Sequence, residues 1–119
     1  MSYAVKRKLS ASTDGKGIKI AETSTPGTLL HTAVAGTTAG TYDEIWLEAF
    51  NSDTVDRVLT IEFGDTTVPD HNIVVTIPHQ AGLIMVVNGL ILQNGATVNG
   101  FCPTANVLTV SGWVNSITD

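Results

Sequence analysis

The chain has 119 residues, a net charge of −5 at pH 7 and a pI near 4.9, which suits one domain with a modest core. That acidic balance argues against a general nucleic-acid binder, whose phosphate contacts need a basic footprint. The single Cys102 excludes an internal disulfide and a cysteine-built zinc site.

Charge is sparse and unevenly placed. Charged residues make up 14% of the chain, against roughly a quarter in an ordinary soluble domain. Five of the six basic residues (Lys6, Arg7, Lys8, Lys16, Lys19) open the sequence, and ten of the eleven acids fall within residues 14–70. Residues 71–118 contain no Asp, Glu, Lys or Arg. A basic start, an acidic middle and a neutral end suggest a building block whose faces meet partners.

Thr, Val and Ile dominate, and Gly and Asn recur at short intervals, which is β composition. Residues 1–14 show no clean period and read as an extended basic arm, dispensable for folding, ahead of a β domain at 15–119. Residues 17–22 and 28–35 are expected strands. In 44–50, Ile45, Leu47 and Ala49 share one face, and Trp46, Glu48 and Phe50 the other. In 57–63 the split is Leu59, Ile61 and Phe63 against Val58, Thr60 and Glu62. The polar loop between these two segments predicts a hairpin.

Ile73, Val75 and Ile77 alternate with Val74 and Thr76 until Pro78, which cannot donate to a ladder, stops the strand. The apolar run 83–87 predicts a strand buried on both faces. Of three Asn-Gly pairs, Asn94-Gly95 is the expected tight turn, with Asn88-Gly89 and Asn99-Gly100 as bulges or bends. Residues 101–106 form a corner before a last strand at 107–114. Seven to nine short strands and no useful helix predict an all-β sandwich or jelly roll.

Few residues suggest chemistry. Asp70-His71-Asn72 near His79 would suit a surface metal by donor type, but its spacing matches no ligand motif, and loop histidines are the preferred reading. Glu62, Asp65 and Asp70 flank a loop too poor in acids for calcium. Asp43, Glu44 and Glu48 read as an exposed acidic edge rather than a glycosidase pair. Ser111 and Cys102 lack an activating context, so no catalytic residue, metal or cofactor is expected. Trp46 and Trp113 suit either sugar stacking or packing, and Trp113 with Val86, Val110 and Val114 is assigned to the core or an oligomer interface. Lys6, Arg7 and Lys8 read equally as a docking arm and as a solvated terminus.

The stretch Gly82-Leu83-Ile84-Met85-Val86-Val87-Asn88-Gly89-Leu90-Ile91-Leu92-Gln93-Asn94-Gly95-Ala96-Thr97-Val98, with Asn106-Val107-Leu108-Thr109-Val110-Ser111-Gly112-Trp113-Val114-Asn115, resembles small virion structural proteins of tailed bacteriophages. Gly27-Thr28-Leu29-Leu30-His31-Thr32-Ala33-Val34 and Leu59-Thr60-Ile61-Glu62-Phe63-Gly64 share the likeness. The resemblance implies a β-sandwich or jelly roll, often trimeric, that decorates or cements a capsid by binding the major capsid protein, with no catalytic residues. Tail, spike and fibre components share these features, and a carbohydrate-binding adhesion module is the alternative of another class. No apolar run approaches membrane-spanning length and the opening residues lack a secretion signal. Synthesis in a host cytoplasm and residence in the virion are therefore expected.

Overall fold

Alternation of apolar and polar side chains becomes two stacked layers in the computed structural model, which describes residues 3–119. Nine strands occur in chain order: β1 (Tyr3–Lys8), β2 (Ile18–Lys19), β3 (Thr28–Thr32), β4 (Tyr42–Asn51), β5 (Arg57–Gly64), β6 (Asn72–Ile77), β7 (Ile84–Leu92), β8 (Thr97–Phe101) and β9 (Leu108–Thr118). There is no helix among the described residues. One sheet runs β1-β9-β4-β7, with β2 also paired to β9, and the other runs β3-β8-β5-β6. All strand pairs are antiparallel. The arrangement is compatible with a β-sandwich.

The centre of the first sheet is the β4–β9 pair, in unbroken register from Tyr42 opposite Ile117 to Asn51 opposite Leu108. Their inward residues Ile45, Leu47, Ala49, Leu108, Val110 and Val114 are buried and meet Leu59, Ile61 and Val98 from the other sheet. Two close approaches depend on glycine. A Cβ on Gly112 would lie 2.0 Å from the Trp46 carbonyl oxygen. A Cβ on Gly89, whose φ is +79°, would lie 3.0 Å from the Trp46 ring.

Four expectations change. First, β4 and β5 are not a hairpin but lie in different sheets. Both strands have an apolar inner face, and two such faces are satisfied by facing each other across the core. Asn51, fully buried, holds the crossing: its Nδ2 donates to the Val55 and Ile77 carbonyls, and its Oδ1 accepts the Asp53 N–H. Second, residues 83–87 are not buried on both faces. β7 pairs only with β4, so it is an edge strand, and Leu83 and Met85 are exposed.

Third, residues 3–8 are not a free arm. They form β1, paired to β9 from Lys8 opposite Trp113 to Tyr3 opposite Thr118. Leu9 then enters the core, 1% exposed, and Ser12 is buried, so removing residues 1–14 would open the core rather than trim a tail. Met1 and Ser2 lie outside the described residues. Fourth, Asn99-Gly100 sits in regular register with Glu62 and Ile61, and the irregularity falls on β3, between Leu29 and His31. Asn88-Gly89 does mark a register shift in β7. Asn94 and Gly95, with φ of +63° and +65°, make a tight turn but not the hairpin that an Asn-Gly pair signals, because it carries the chain from one sheet to the other.

Substitutions along β9 test this packing. Val110→Asp places a carboxylate in the core without a partner and should cost more than about 3 kcal/mol in urea unfolding. Gly112→Ala forces the two central backbones apart and should cost about 2 kcal/mol or more. Thr109→Asp, on the outer face, should change stability by less than about 1 kcal/mol. Equal tolerance of all three would contradict the assigned faces.

Candidate functional site

Three places gather polar or aromatic side chains. The first is a cleft of about 700 Å³ where the β1 edge of one sheet overhangs the β3 edge of the other, lined by Arg7, Ser10, His31, Asp43, Ser116 and Thr118 among others. Asp43 shares the inward face of β4 with Ile45, and it is 3% exposed. It accepts from His31 Nε2 at 2.7 Å, from Ser116 Oγ at 2.8 Å and from the Val34 N–H at 3.2 Å. Burial of a carboxylate is tolerable when its lone pairs are taken up in this way.

His31, 4% exposed, accepts the Ser10 N–H on Nδ1 at 3.0 Å. A backbone amide can only donate, so the imidazole proton sits on Nε2 and points at Asp43. The order of this chain is serine to aspartate to histidine. Nucleophilic catalysis needs histidine between the other two, with a free nitrogen to take the hydroxyl proton. Here neither ring nitrogen is free and Ser116 reaches only a carboxylate, so the network braces β3, β4, β9 and the segment after β1.

The second place is the outer face of the β4–β9 pair. Trp46 and Trp113 are cross-strand partners, stacked with centroids 5.8 Å apart and planes within 6°. Lys6 Nζ lies 4.8 Å from the centroid of the Trp113 ring, a cation–π contact. Trp46 leans on Gly89 and donates Nε1–H to Glu44 Oε1, which also accepts from Asn115. These two bonds, that from Asn115 foremost, hold the Glu44 carboxyl below its usual pKa. Sugar stacking needs an open ring face, and here the ring faces meet each other, a lysine and a glycine. Trp113 thus belongs neither to the core nor to an open platform.

The third group is the loop histidines. His71 Nδ1 bonds Asp65, and His79 Nδ1 bonds Asp56 at 2.8 Å. Glu62 is fully buried elsewhere, under residues 25–27, where Thr25 Oγ1 and the Gly27 N–H donate to it. No three His, Cys, Asp or Glu side chains converge as metal ligands would among the described residues. Neither the metal alternative at His71 and His79 nor the calcium alternative at Glu62, Asp65 and Asp70 is assembled.

The basic residues become the clearest surface feature. Lys6, Arg7 and Lys8 are in β1, Lys19 is in β2 and Lys16 just precedes it, and both strands line the same edge of β9. Register turns Arg7 toward the cleft side, opposite Val114, and sends Lys6 and Lys8 to the outer face. Lys8 Nζ donates to the Ser12 carbonyl. Among the described residues, Arg57 is the one Lys or Arg in an ion pair, with Asp53. The other interface residues assigned from the sequence separate: Val110 and Val114 are core, and Val86 is half-buried on β7. No protein-family model, curated protein or solved structure matches this chain.

The His71–Asp65 pair yields a pH prediction. The hydrogen bond to Asp65 raises the His71 pKa above 6.5, while the bonds from His71 and the Thr67 N–H lower that of Asp65 below 3.8. The histidine's contribution is complete below pH 6.5 and is lost as pH rises through its raised value. The aspartate's is complete above pH 3.8 and is lost as pH falls through its lowered value. The pair is therefore best formed between those two pH values. In an NMR titration the His71 midpoint should lie above 6.5 and return toward it in Asp65→Asn.

Proposed function

We propose that this chain is a non-catalytic structural protein of a tailed-phage virion, a capsid decoration protein that sits as an oligomer on the outside of the shell. The observation that carries the reading is the separation of charge by edge. Five of the six basic residues flank the β1/β2 edge, and the β7 edge opposite has none. A cationic edge on an acidic protein meets an acidic neighbour with charge complementarity, which favours encounter and orientation. A neutral edge meets another neutral surface without stranding a charge.

The His31–Asp43–Ser116 network supports the non-catalytic part of the reading, because its histidine has no nitrogen available to a substrate. The basic residues expected on an extended arm dock, in this reading, from a strand instead. Lys6, Arg7 and Lys8 act from a strand already fixed to β9, so docking through it requires little ordering of the backbone.

Sedimentation with shells assembled from the cognate major capsid protein tests attachment. The wild-type chain should co-sediment at low salt and release as salt screens exposed charges. A Lys6→Glu/Arg7→Glu/Lys8→Glu variant should remain folded, since all three residues are exposed and only the Lys6–Trp113 contact and the Lys8 bond to Ser12 are lost, yet bind ~10-fold or more weakly. Equal binding by the variant would remove the basic edge from the attachment. Binding to tails but not to shells would move the protein to a tail component.

A further inference from the structure

The β7 edge identifies a partner more closely. β7 is nine residues long, uncharged and paired on one side only. Among the described residues, no backbone hydrogen bond from outside its sheet reaches it. Met85, Leu90 and Ile91 are 43%, 47% and 53% exposed, and Leu83 just before the strand is 60% exposed. Protein edges are usually protected by charge, proline or cover. The opposite edge of the same sheet has that protection, with three consecutive cations in β1. β6, the neighbouring edge of the other sheet, is also uncharged but has only six residues and one strongly exposed apolar side chain, Val74.

We infer that two copies of this chain associate through β7, antiparallel, about a two-fold axis near Asn88. Two observations select a second copy as the occupant. A two-fold axis brings the residues beside it near their own symmetry mates, so a charge close to the axis faces a like charge. β7 carries none, and the nearest, Glu44 and Glu48, are one strand further in. The apolar pattern is also symmetric about Asn88. An antiparallel pairing centred there sets Met85 against Ile91, Val86 against Leu90 and Ile84 against Leu92, with Val87 against Gly89 and Asn88 against its own mate at the axis. Met85 and Ile91 lie opposite Glu48 and Glu44, hence on one face of the sheet. The shifts at Gly89 and near Val86 bend the strand without adding charge.

The contact rests on the reading of the chain as a self-associating building block, and it specifies a dimer in place of the trimer expected from the sequence. Light scattering across micromolar concentrations should give twice the 12.5 kDa chain mass, falling on dilution. Met85→Lys/Ile91→Lys replaces exposed side chains and should leave a folded monomer, weakening association by ~100-fold or more. Leu29→Lys, at an exposed position on β3, should remain dimeric. A dimer or trimer indifferent to the β7 substitutions overturns this contact and leaves self-association standing. A wild-type monomer at several hundred micromolar overturns both, while attachment through β1 stands or falls by the sedimentation assay.

Discussion

Strand β9 is flanked along its length on both sides: β4 pairs with it from Leu108 to Ile117, while β2 and then β1 share its other edge. Every inward residue of the first sheet takes its position from that register. Shifting it by one residue would turn Val110 and Val114 to solvent and Trp113 into the core. The pairing tolerates no side chain at Gly112, where a Cβ would run into the Trp46 carbonyl, and it stacks Trp46 on Trp113 across the same pair. The ion-free final segment follows from this position. Leu108, Val110 and Val114 lie against the core, and Ser111, Trp113 and Asn115 are half-buried among neighbours on the other face.

The same pair explains the buried polar groups. Asp43 occupies the inward face at the end of β4, one step beyond Ile45, where the second sheet no longer covers the first and the cleft begins. His31 and Ser116 close the gap from β3 and β9, and Ser10 fixes the imidazole from the segment after β1. Three strands and the segment after β1 are tied at one point by hydrogen bonds that are directional, as burial of apolar surface alone is not. At the other end of β4, Asn51 performs a similar task for the crossing to β5. The two ends of one strand are therefore fixed by polar side chains and its middle by apolar ones.

Alternation made much of this legible. The inner faces Ile45-Leu47-Ala49 and Leu59-Ile61, the stop at Pro78, the turn at Asn94-Gly95 and the shift at Asn88-Gly89 were readable because each is a local signal. Which sheet a strand joins is not local, and so the β4–β5 crossing was mistaken for a hairpin. Apolar density misled at residues 83–87, because an uncharged edge strand has the same composition as a buried one. The His31–Asp43 pair was not anticipated: Asp43, read from the sequence as part of an exposed acidic edge, has the parity of Ile45 and is buried, and the irregularity between Leu29 and His31 hides the parity of His31. Burial of Glu62 left no trace in its own strand, since its cover comes from residues 25–27. β1 was missed because its period-two pattern has no apolar face, all six residues being exposed.

The pairing of Tyr3 with Thr118 has a topological meaning as well. Cross-strand partners are only about 5 Å apart between Cα atoms, so the two ends of the described chain leave the molecule at one corner. A few glycine and serine residues would join them into a closed ring, and a new opening in an exposed loop such as residues 35–40 would then permute the order of strands while keeping every ladder intact. A peptide appended at either end would emerge from that same corner, beside the basic edge and away from the neutral one.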